Sequence, residues 1–444
     1  MKRTLVVLTM SALMFPVWSG TALAQQVPYR LSLRDAIQKG LQANLSVLVA
    51  NTRVQEAEGT TVRRMSAAVL PRVHGSSYAN LQNRNLRAFG ISLPGMPDVV
   101  GPFSNYDFRI SADQNIVDLQ SYRNWKASQR GLEASKLDYQ SARDLIVSAI
   151  ANLYLDAESA AARADAAQSR VDSSDALYRL ARSKHDAGTA TGVDVLRSQV
   201  QLANDKQALL VARNHYKQAL LVLARNLGMN PATPLELSET LTYEPMPVPS
   251  PETVVPSALV ARDDYLALAK QREQLMEQQR ASHARYLPKL SVFGNYGALG
   301  RSIGSATGTG VIQAQLDFDL LNRDRNGEAQ EIAGRIRRVD DQIADFRRGI
   351  EVEVRQALLN LESASEQVAV AQSGLDLAQR ELKLAQDRFQ SGVTNNVEVV
   401  TAQDELARAQ ENHILAVSNY VEAKFALARA AGATEKNFDQ YTGH

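Results

Sequence analysis

The residues that could bind a metal or act as a catalytic base lack the spacing that either task requires. The chain has 444 residues and no cysteine, which excludes disulfides, thiolate ligands and thiol catalysis. Asp263 and Asp264 form a carboxylate pair, but adjacent side chains on a predicted helix point apart. The six histidines are scattered without metal-ligand spacing: His74, His185, His215, His283, His413 and His444. We therefore expect no catalytic centre and no resident metal.

A glycine-rich stretch and the overall charge exclude two further classes of function. The glycines between residues 297 and 310 are not followed by the Lys-Ser/Thr pair of a phosphate-binding loop, so they predict a surface loop and no nucleotide cofactor. The 49 basic residues are balanced by 48 acidic ones, which argues against nucleic acid as a partner. The sequence predicts a protein that is not an enzyme.

Two similar segments each carry a glycine and, six residues later, a carboxylate. The first contains Gly188 and Asp194, and the second contains Gly392 and Glu398. Glycine adopts a positive φ without steric cost, as a tight turn between helices requires. An acidic residue at a helix start is favoured by the helix dipole. Each segment therefore predicts a turn that joins two helices.

These two turns belong to an internal repeat. Leu223-Ala224-Arg225 recurs as Leu427-Ala428-Arg429, an offset of about 204 residues. Upstream, Leu70-Pro71 recurs as Leu287-Pro288. No proline lies between Pro102 and Pro231, and none follows Pro288, so very long helices are permitted.

The repeat divides the chain into segments that share one pattern of helix, two strands and long helical hairpin. The first repeat is 25–240, with strands at about 72–81 and 105–117 and a hairpin at 120–228; the second is 257–432, with strands at about 289–297 and 310–320 and a hairpin at 323–432. A Pro-rich linker at 241–256 separates them, and 433–444 is a C-terminal tail. The opening helices are expected at about 32–68 and 257–286. The fold class is mainly α with membrane β strands.

The hairpins show a 3.5-residue apolar period, and the strands alternate in polarity. Ile350, Val354, Leu358 and Leu361 begin a series that continues for about five heptads, as in a coiled coil. Alternating strands of about ten residues suit a membrane barrel, although a half-buried soluble sheet alternates in the same way. Four strands cannot close a membrane barrel, so several chains would have to share one.

The first 24 residues predict a secretory signal peptide. Lys2 and Arg3 precede an apolar stretch, and Ala22-Leu23-Ala24 is a cleavage site of the A-x-A type. The mature chain lacks a stretch of 18 uncharged apolar residues, so an outer-membrane location requires β-strands.

The signal peptide, the duplicated strand pair with its long hairpin, and the Gly turn followed by an acid together resemble the TolC-like outer-membrane efflux protein family. The most specific motif runs from Lys184 to Leu196, with a counterpart from Arg388 to Val400. The resemblance implies a homotrimer whose 12-stranded β-barrel lies in outer-membrane lipid and continues as a periplasmic α-barrel. It implies an exit duct that joins a periplasmic adaptor and an inner-membrane pump of the RND, ABC or MFS type.

The resemblance also assigns roles to the two turns. It implies that they contact the adaptor through Gly188, Thr189, Gly192, Gly392, Val393 and Thr394. Three-fold symmetry would arrange Asp194 and Glu398 as a ring of carboxylates at the periplasmic pore constriction, which would attract cations. A helix-ending glycine without a partner, and an acid that stabilises a helix start, are the simpler interpretations.

Two residues depart from the family pattern at the second turn. Thr401 is not acidic, and Thr394 is not the basic residue that some members use to lock the turns together. Both departures argue against a second acidic ring and a salt-bridge latch. The alternative function is a periplasmic coiled-coil adaptor or scaffold without a membrane barrel.

Overall fold

The structure is a computed structural model that describes residues 28–92, 94–318, 324–432 and 434–435. The expected signal peptide at 1–24 and most of the tail at 433–444 lie outside these residues.

Two helices, two strands and two long helices follow one another in the same order in each half of the chain, and the first half has two additional short strands. Those of the first half are β1 (Tyr29–Leu31), α1 (Leu33–Ala43), α2 (Leu45–Val69), β2 (Arg72–Asn85), β3 (Val99–Val117), α3 (Leu119–Asp186), α4 (Gly192–Asn226) and β4 (Leu235–Leu237). Those of the second half are α5 (Pro251–Ala261), α6 (Asp263–Ala284), β5 (Lys289–Gly300), β6 (Thr307–Asp317), α7 (Asp324–Gln390) and α8 (Asn396–Ala430).

The four long strands form one antiparallel sheet in the order β2–β3–β5–β6. The β3–β5 pair therefore joins the two halves, and β2 and β6 are the edges. Along β3, Asp107 and Arg109 lie on one face, whereas Phe108 and Ile110 lie on the other. Arg109 pairs with Asp107 at 2.7 Å on the polar face. The sheet has one polar and one apolar face, and two edges without a partner strand among the described residues.

The strand ends differ from the predicted ones. β2 and β3 pair as far as Asn85 and Val99, beyond the predicted ends at 81 and 105, and β5 continues to Gly300. A register shift opposite Gly101 and Pro102 accommodates the proline, which has no N–H for the ladder.

The last strand ends earlier than the predicted residue 320. Asp317 pairs with Lys289, which directly follows Pro288, so the ladder has no further partner for Phe318. Residues 319 and 320 lie outside the part of the chain that the structure describes.

Each half opens with two helices where the sequence predicted one. Asn44 interrupts the first because its side chain accepts the N–H of Ser46 at 2.9 Å and caps α2. Arg262 interrupts the second, where its buried guanidinium pairs with Asp264 and Glu353. The first break thus has a local side-chain cap, whereas the second coincides with a buried arginine that also bonds to a distant glutamate.

The Pro-rich linker is shorter than the predicted 241–256. Helix α5 begins at Pro251 and includes Pro256. Proline is tolerated at the first helical position because the N–H that it lacks has no intrahelical acceptor there. The irregular linker therefore ends at Ser250.

The long helices dominate the molecule. Helix α3 has 68 residues and α7 has 67, which corresponds to about 100 Å each at 1.5 Å per residue. The seam positions Ile350, Val354 and Leu361 are buried, as the heptad pattern requires. Helix α3 contains one window apolar enough to span a membrane by composition, and half of that window is buried inside the protein.

Candidate functional site at the helix turns

The turn between α3 and α4 is an exposed glycine turn. Gly188 has a φ of +73°. The N–H of Thr189 donates to the carbonyl of Lys184 at 2.8 Å, so the chain closes over the end of α3. Gly188, Thr189 and Gly192 are all exposed. We call this turn, residues 187–191, the first tip.

The carboxylate of Asp194 forms hydrogen bonds within its own protomer. It accepts the Thr191 N–H at 3.1 Å and the Thr191 hydroxyl at 2.7 Å, while the Thr191 Oγ accepts the Asp194 N–H. This reciprocal pattern is a capping box at the start of α4. The residue is only 8% exposed, and Arg197 lies 3.4 Å from its carboxylate. The geometry fits the simpler interpretation of an acid that stabilises a helix start.

The turn between α7 and α8 repeats this design with a different cap. Gly392 has a φ of +74°, and the N–H of Val393 donates to the carbonyl of Arg388 at 3.0 Å. The Asn395 side chain accepts the N–H of Val397 at 3.0 Å and caps α8. We call this turn, residues 391–395, the second tip. Gly392 and Val393 are exposed, and Thr394 is partly buried.

Glu398 has a more open environment than Asp194. Its side chain is 37% exposed and pairs with Arg388 at 3.1 Å, across the second tip. The sequence argued against a salt-bridge latch because Thr394 is not basic. The structure places an ion pair at this tip between other residues, on either side of the turn.

A lysine joins the two tips within one protomer. The Nζ of Lys184, near the end of α3, donates to the carbonyls of Phe389 at 2.7 Å and Gln390 at 3.1 Å. It also lies 4.9 Å from the centre of the Phe389 ring. The last carbonyls of α7 have no intrahelical partners, and they carry the negative end of the helix dipole. A cation is therefore well placed there.

A buried asparagine makes the second connection between the tips. Asn396 is fully buried at the start of α8. Its Nδ2 donates to the Asp194 carbonyl at 2.7 Å and to the Ser198 Oγ at 3.0 Å, and its Oδ1 accepts from Arg197 at 2.7 Å. All hydrogen-bonding atoms of the amide are thus used on α4. Lys184 and Asn396 together form what we call the tip lock.

Sequence reasoning singled out the glycines and acids of the tips but missed the tip lock. The sequence signal for the tip lock is a difference between the two repeats. Asn396 occupies the position of Gly192, and Thr401 occupies that of Arg197, at the repeat offset of about 204. A repeat predicts what the copies share, whereas a contact between copies depends on where they differ.

The contacts described at the tips are structural ones between helices. Among the residues that the structure describes, no group of three or more His, Cys, Asp or Glu side chains has the geometry to hold a metal ion. Beneath the tips an apolar cluster packs α3 against α7 and α8; it contains Leu177, Leu382, Ala385, Phe389, Val399 and Ala402. The two tips therefore form one packed unit that polar contacts hold together at its end.

Comparisons with known proteins cover almost the whole described chain. The family model described as outer membrane efflux protein matches residues 36–229 and 254–433. The chain is 22% identical over 386 residues to the pyoverdine export outer membrane protein OpmQ of Pseudomonas aeruginosa, which covers 84% of this chain and 78% of that protein. It is 23% identical to the protein of the same name from Pseudomonas putida, over 86% of this chain and 82% of that protein.

Solved structures of outer membrane channels share the fold. The Campylobacter jejuni CmeC channel superposes with a TM-score of 0.78 at 16% identity, over 92% of this chain and 89% of that one. VceC from Vibrio cholerae gives 0.76 at 17% identity, over 90% and 96% of the two chains. The open state of the Neisseria gonorrhoeae MtrE channel gives 0.75 at 17% identity, over 90% and 88%.

Proposed function

The chain belongs to the outer membrane efflux protein family, and from this premise we propose that it is the exit duct of a tripartite efflux or type I secretion system. The family consists of outer membrane channel proteins rather than enzymes. The protein is located in the outer membrane and has a large periplasmic part. The family implies interaction with a periplasmic adaptor and an inner-membrane pump.

In this proposal the protein conducts passively what the pump delivers. Its pump is of the RND, ABC or MFS type, and the pump determines the cargo. The OpmQ relatives carry pyoverdine export in their name. A conduit requires a sealed wall with a wet interior, and the polar sheet face provides side chains for such an interior.

The proposal rests on the four-stranded sheet, whose two edge strands have no partner strand among the described residues. Its four strands have one apolar face, which suits lipid, and one polar face with charged residues. The edges at β2 and β6 present unpaired backbone groups, which lipid does not tolerate. Four strands are fewer than the roughly eight that close the smallest membrane barrels. Three copies joined from β6 to β2 supply twelve strands and leave no edge.

The long helices also expose apolar side chains on their surface. Helix α7 has a second apolar stripe, away from its buried seam, at Val352, Leu359, Val370, Leu377 and Leu384, each more than half exposed. Helix α4 exposes Val193, Leu196 and Val200. Large apolar side chains repeated along one helix face need a partner, so we propose that the α7 stripe seals against the neighbouring protomer.

We propose that the tips face the periplasm and contact the adaptor. Gly188, Thr189, Gly192, Gly392 and Val393 are exposed, and Thr394 is partly buried, so the turns offer backbone and small side chains to a partner. The tip lock holds the two hairpins of each protomer together at this end. We propose that it keeps the mouth narrow, and that opening requires its contacts to break.

We propose that Glu398 is the main carboxylate of the ring at the pore constriction. Asp194 is buried and stabilises the start of α4. In the trimer, Glu398→Gln is expected to lower the permeability ratio of cations to anions, because it leaves Arg388 uncompensated beside the pore. Planar-bilayer reversal potentials under a salt gradient measure this ratio.

Two further variants make that measurement specific. Glu56→Gln removes an exposed acid of α2, far from the tips, and should leave the ratio unchanged. Asp194→Asn should instead lower the stability of the protein by about 0.3–1 kcal/mol, because it removes the negative charge from the start of α4, with little change in selectivity. If Glu398→Gln leaves the reversal potential at the wild-type value, the ring assignment is wrong.

Membrane fractionation tests the proposed function itself. We expect the mature protein to remain in the outer-membrane fraction, to require detergent for extraction and to have the mass of three chains. A soluble monomer would instead favour a periplasmic adaptor or scaffold and would contradict the duct.

A further inference from the structure

A strap of irregular chain crosses the helices between the two repeats. We define it as residues 238–250, between β4 and α5. Its ends bond to different helices: the Leu33 N–H donates to Glu239 at 3.3 Å, and the Met246 N–H donates to the Tyr420 hydroxyl at 2.8 Å. The Tyr243 hydroxyl lies 3.1 Å from the Ser365 Oγ on α7. The strap thus connects α1, α7 and α8.

The strap covers a small cavity that is lined by charged side chains. The cavity has a volume of about 60 Å³, which is room for only a few water molecules. Glu158 of α3 lines it and is only 7% exposed, and Lys424 of α8 lines it and is 5% exposed. Glu239 and Glu244 reach it from the strap. A carboxyl of α3 and a carboxyl of the strap therefore line one small cavity.

Glu158 shares this cavity with other charged groups, and the charged neighbour that raises its pKa is Glu239. Lys424 is attracted to Glu244, and burial lowers the pKa of its ammonium. Glu422 of α8 faces Asp156 of α3, and burial raises the pKa of both carboxyls. The Tyr154 hydroxyl donates to the Leu31 carbonyl at 2.9 Å.

Burial and a like charge act on Glu158 in the same direction. Burial, and after it the neighbouring Glu239 carboxylate, raise the pKa of Glu158 to about 7 from its ordinary value of 4.5. A protonated Glu158 sits in this cavity at little electrostatic cost. An ionised Glu158 would place a largely buried carboxylate beside that of Glu239, which is unfavourable for both reasons.

We propose that the strap is a pH-sensitive closure, which lies on the helices while Glu158 is protonated and lifts when Glu158 and Glu239 both carry a charge. This device is separate from the tips and from the duct, because it needs only the fold of one protomer. It would make the middle of the periplasmic part looser at neutral pH than in an acidified periplasm.

The direction of the effect follows from the proton balance. With the strap lifted, Glu158 titrates near its ordinary pKa; with the strap closed, it holds its proton up to about pH 7. The open form therefore loses protons first as the pH rises, and closure weakens between about pH 4.5 and pH 7. Above that range the opening equilibrium becomes constant.

Hydrogen exchange of the full mature protein in detergent tests the proposal. After correction for intrinsic exchange, the opening equilibrium of strap peptides should rise on the order of 50-fold between pH 5 and pH 7.5. Glu158→Gln keeps the size of the side chain and cannot ionise, so its strap should be equally protected at both pH values. Glu239→Gln should reduce the pH dependence but not abolish it, because burial is the larger cause.

The matched control is Glu236→Gln on the adjacent strand β4. Glu236 is 52% exposed and lies beside Arg30, so this variant should keep the full wild-type dependence. A wild-type strap with the same protection at both pH values overturns the proposal, whether or not the variants fold. So does a Glu158→Gln strap with the wild-type dependence, which would assign the titration to Glu422 or Asp156.

Discussion

Replacing Lys184 with alanine is expected to open the periplasmic end of the duct. In the structure, the Lys184 ammonium donates to two carbonyls at the end of α7 and ties the first tip to the second. Hydrogen bonds to a charged group contribute about 1.5–3 kcal/mol each. Loss of one such contribution shifts a closed–open equilibrium by about 10- to 150-fold in favour of the open form. The variant should therefore show a larger time-averaged conductance in planar bilayers.

The comparison with two other variants makes this result interpretable. Asn396→Ala breaks the second connection, which runs to Asp194 and Ser198, and should raise the conductance independently. Lys383→Ala removes an exposed lysine of α7, a few residues from the second tip, and should leave the conductance unchanged. If Lys184→Ala and Asn396→Ala both conduct as the wild type does, the tip lock does not gate the duct.

Placing a charge on the exposed stripe of α7 is expected to prevent assembly. Leu377 is 61% exposed in the protomer and lies on the stripe that we propose to seal against a neighbour. Leu377→Asp removes about 1.5–3 kcal/mol of apolar burial at each of three interfaces and buries an unpaired carboxylate there. The mass of the detergent-extracted protein, measured by light scattering, should fall from three chains to one.

A substitution on another face of the same helix provides the control. Gln379 is exposed and lies two residues beyond Leu377, so it points away from the stripe. Gln379→Asp adds the same charge at almost the same height and should leave the trimer intact. Trimers of normal stability in the Leu377→Asp variant would show that the stripe faces water.

The internal repeat and the 3.5-residue apolar period predicted most of the fold. Residues such as Val354 and Leu361 are buried because a 3.5-residue period places them on one seam, and such a period can be read from the sequence alone. The family is confirmed by a model that matches residues 36–229 and 254–433. The break at Arg262 was not predicted, because the guanidinium bonds to Glu353, which is distant in sequence.

The tips were predicted in position but only partly in chemistry. Glycine and acid signals are local, so Gly188 and Gly392 were found at turns with positive φ. The capping box of Asp194 is a local contact and fits the simpler interpretation that the sequence offered. The role of Asn396, in contrast, depends on contacts with Asp194 and Ser198, about 200 residues away on the other hairpin. A single sequence does not pair such residues, since each is ordinary in its own helix.

The central claim is that three copies close one barrel, and disulfide crosslinking of the sheet edges tests it most directly. The chain has no cysteine, so every crosslink comes from introduced residues. Ser76→Cys on β2 would be combined in turn with Thr309→Cys, Val311→Cys and Gln313→Cys on β6, because the register between copies has to be found.

The geometry excludes a crosslink within one chain. The two edges of the sheet are three strand spacings apart, about 14 Å, whereas a disulfide requires Cα atoms within about 7 Å. We predict that at least one pair gives a covalent trimer in isolated outer membranes, and that no single variant does. Monomers alone from all three pairs, in protein that has reached the outer membrane, would contradict the shared barrel.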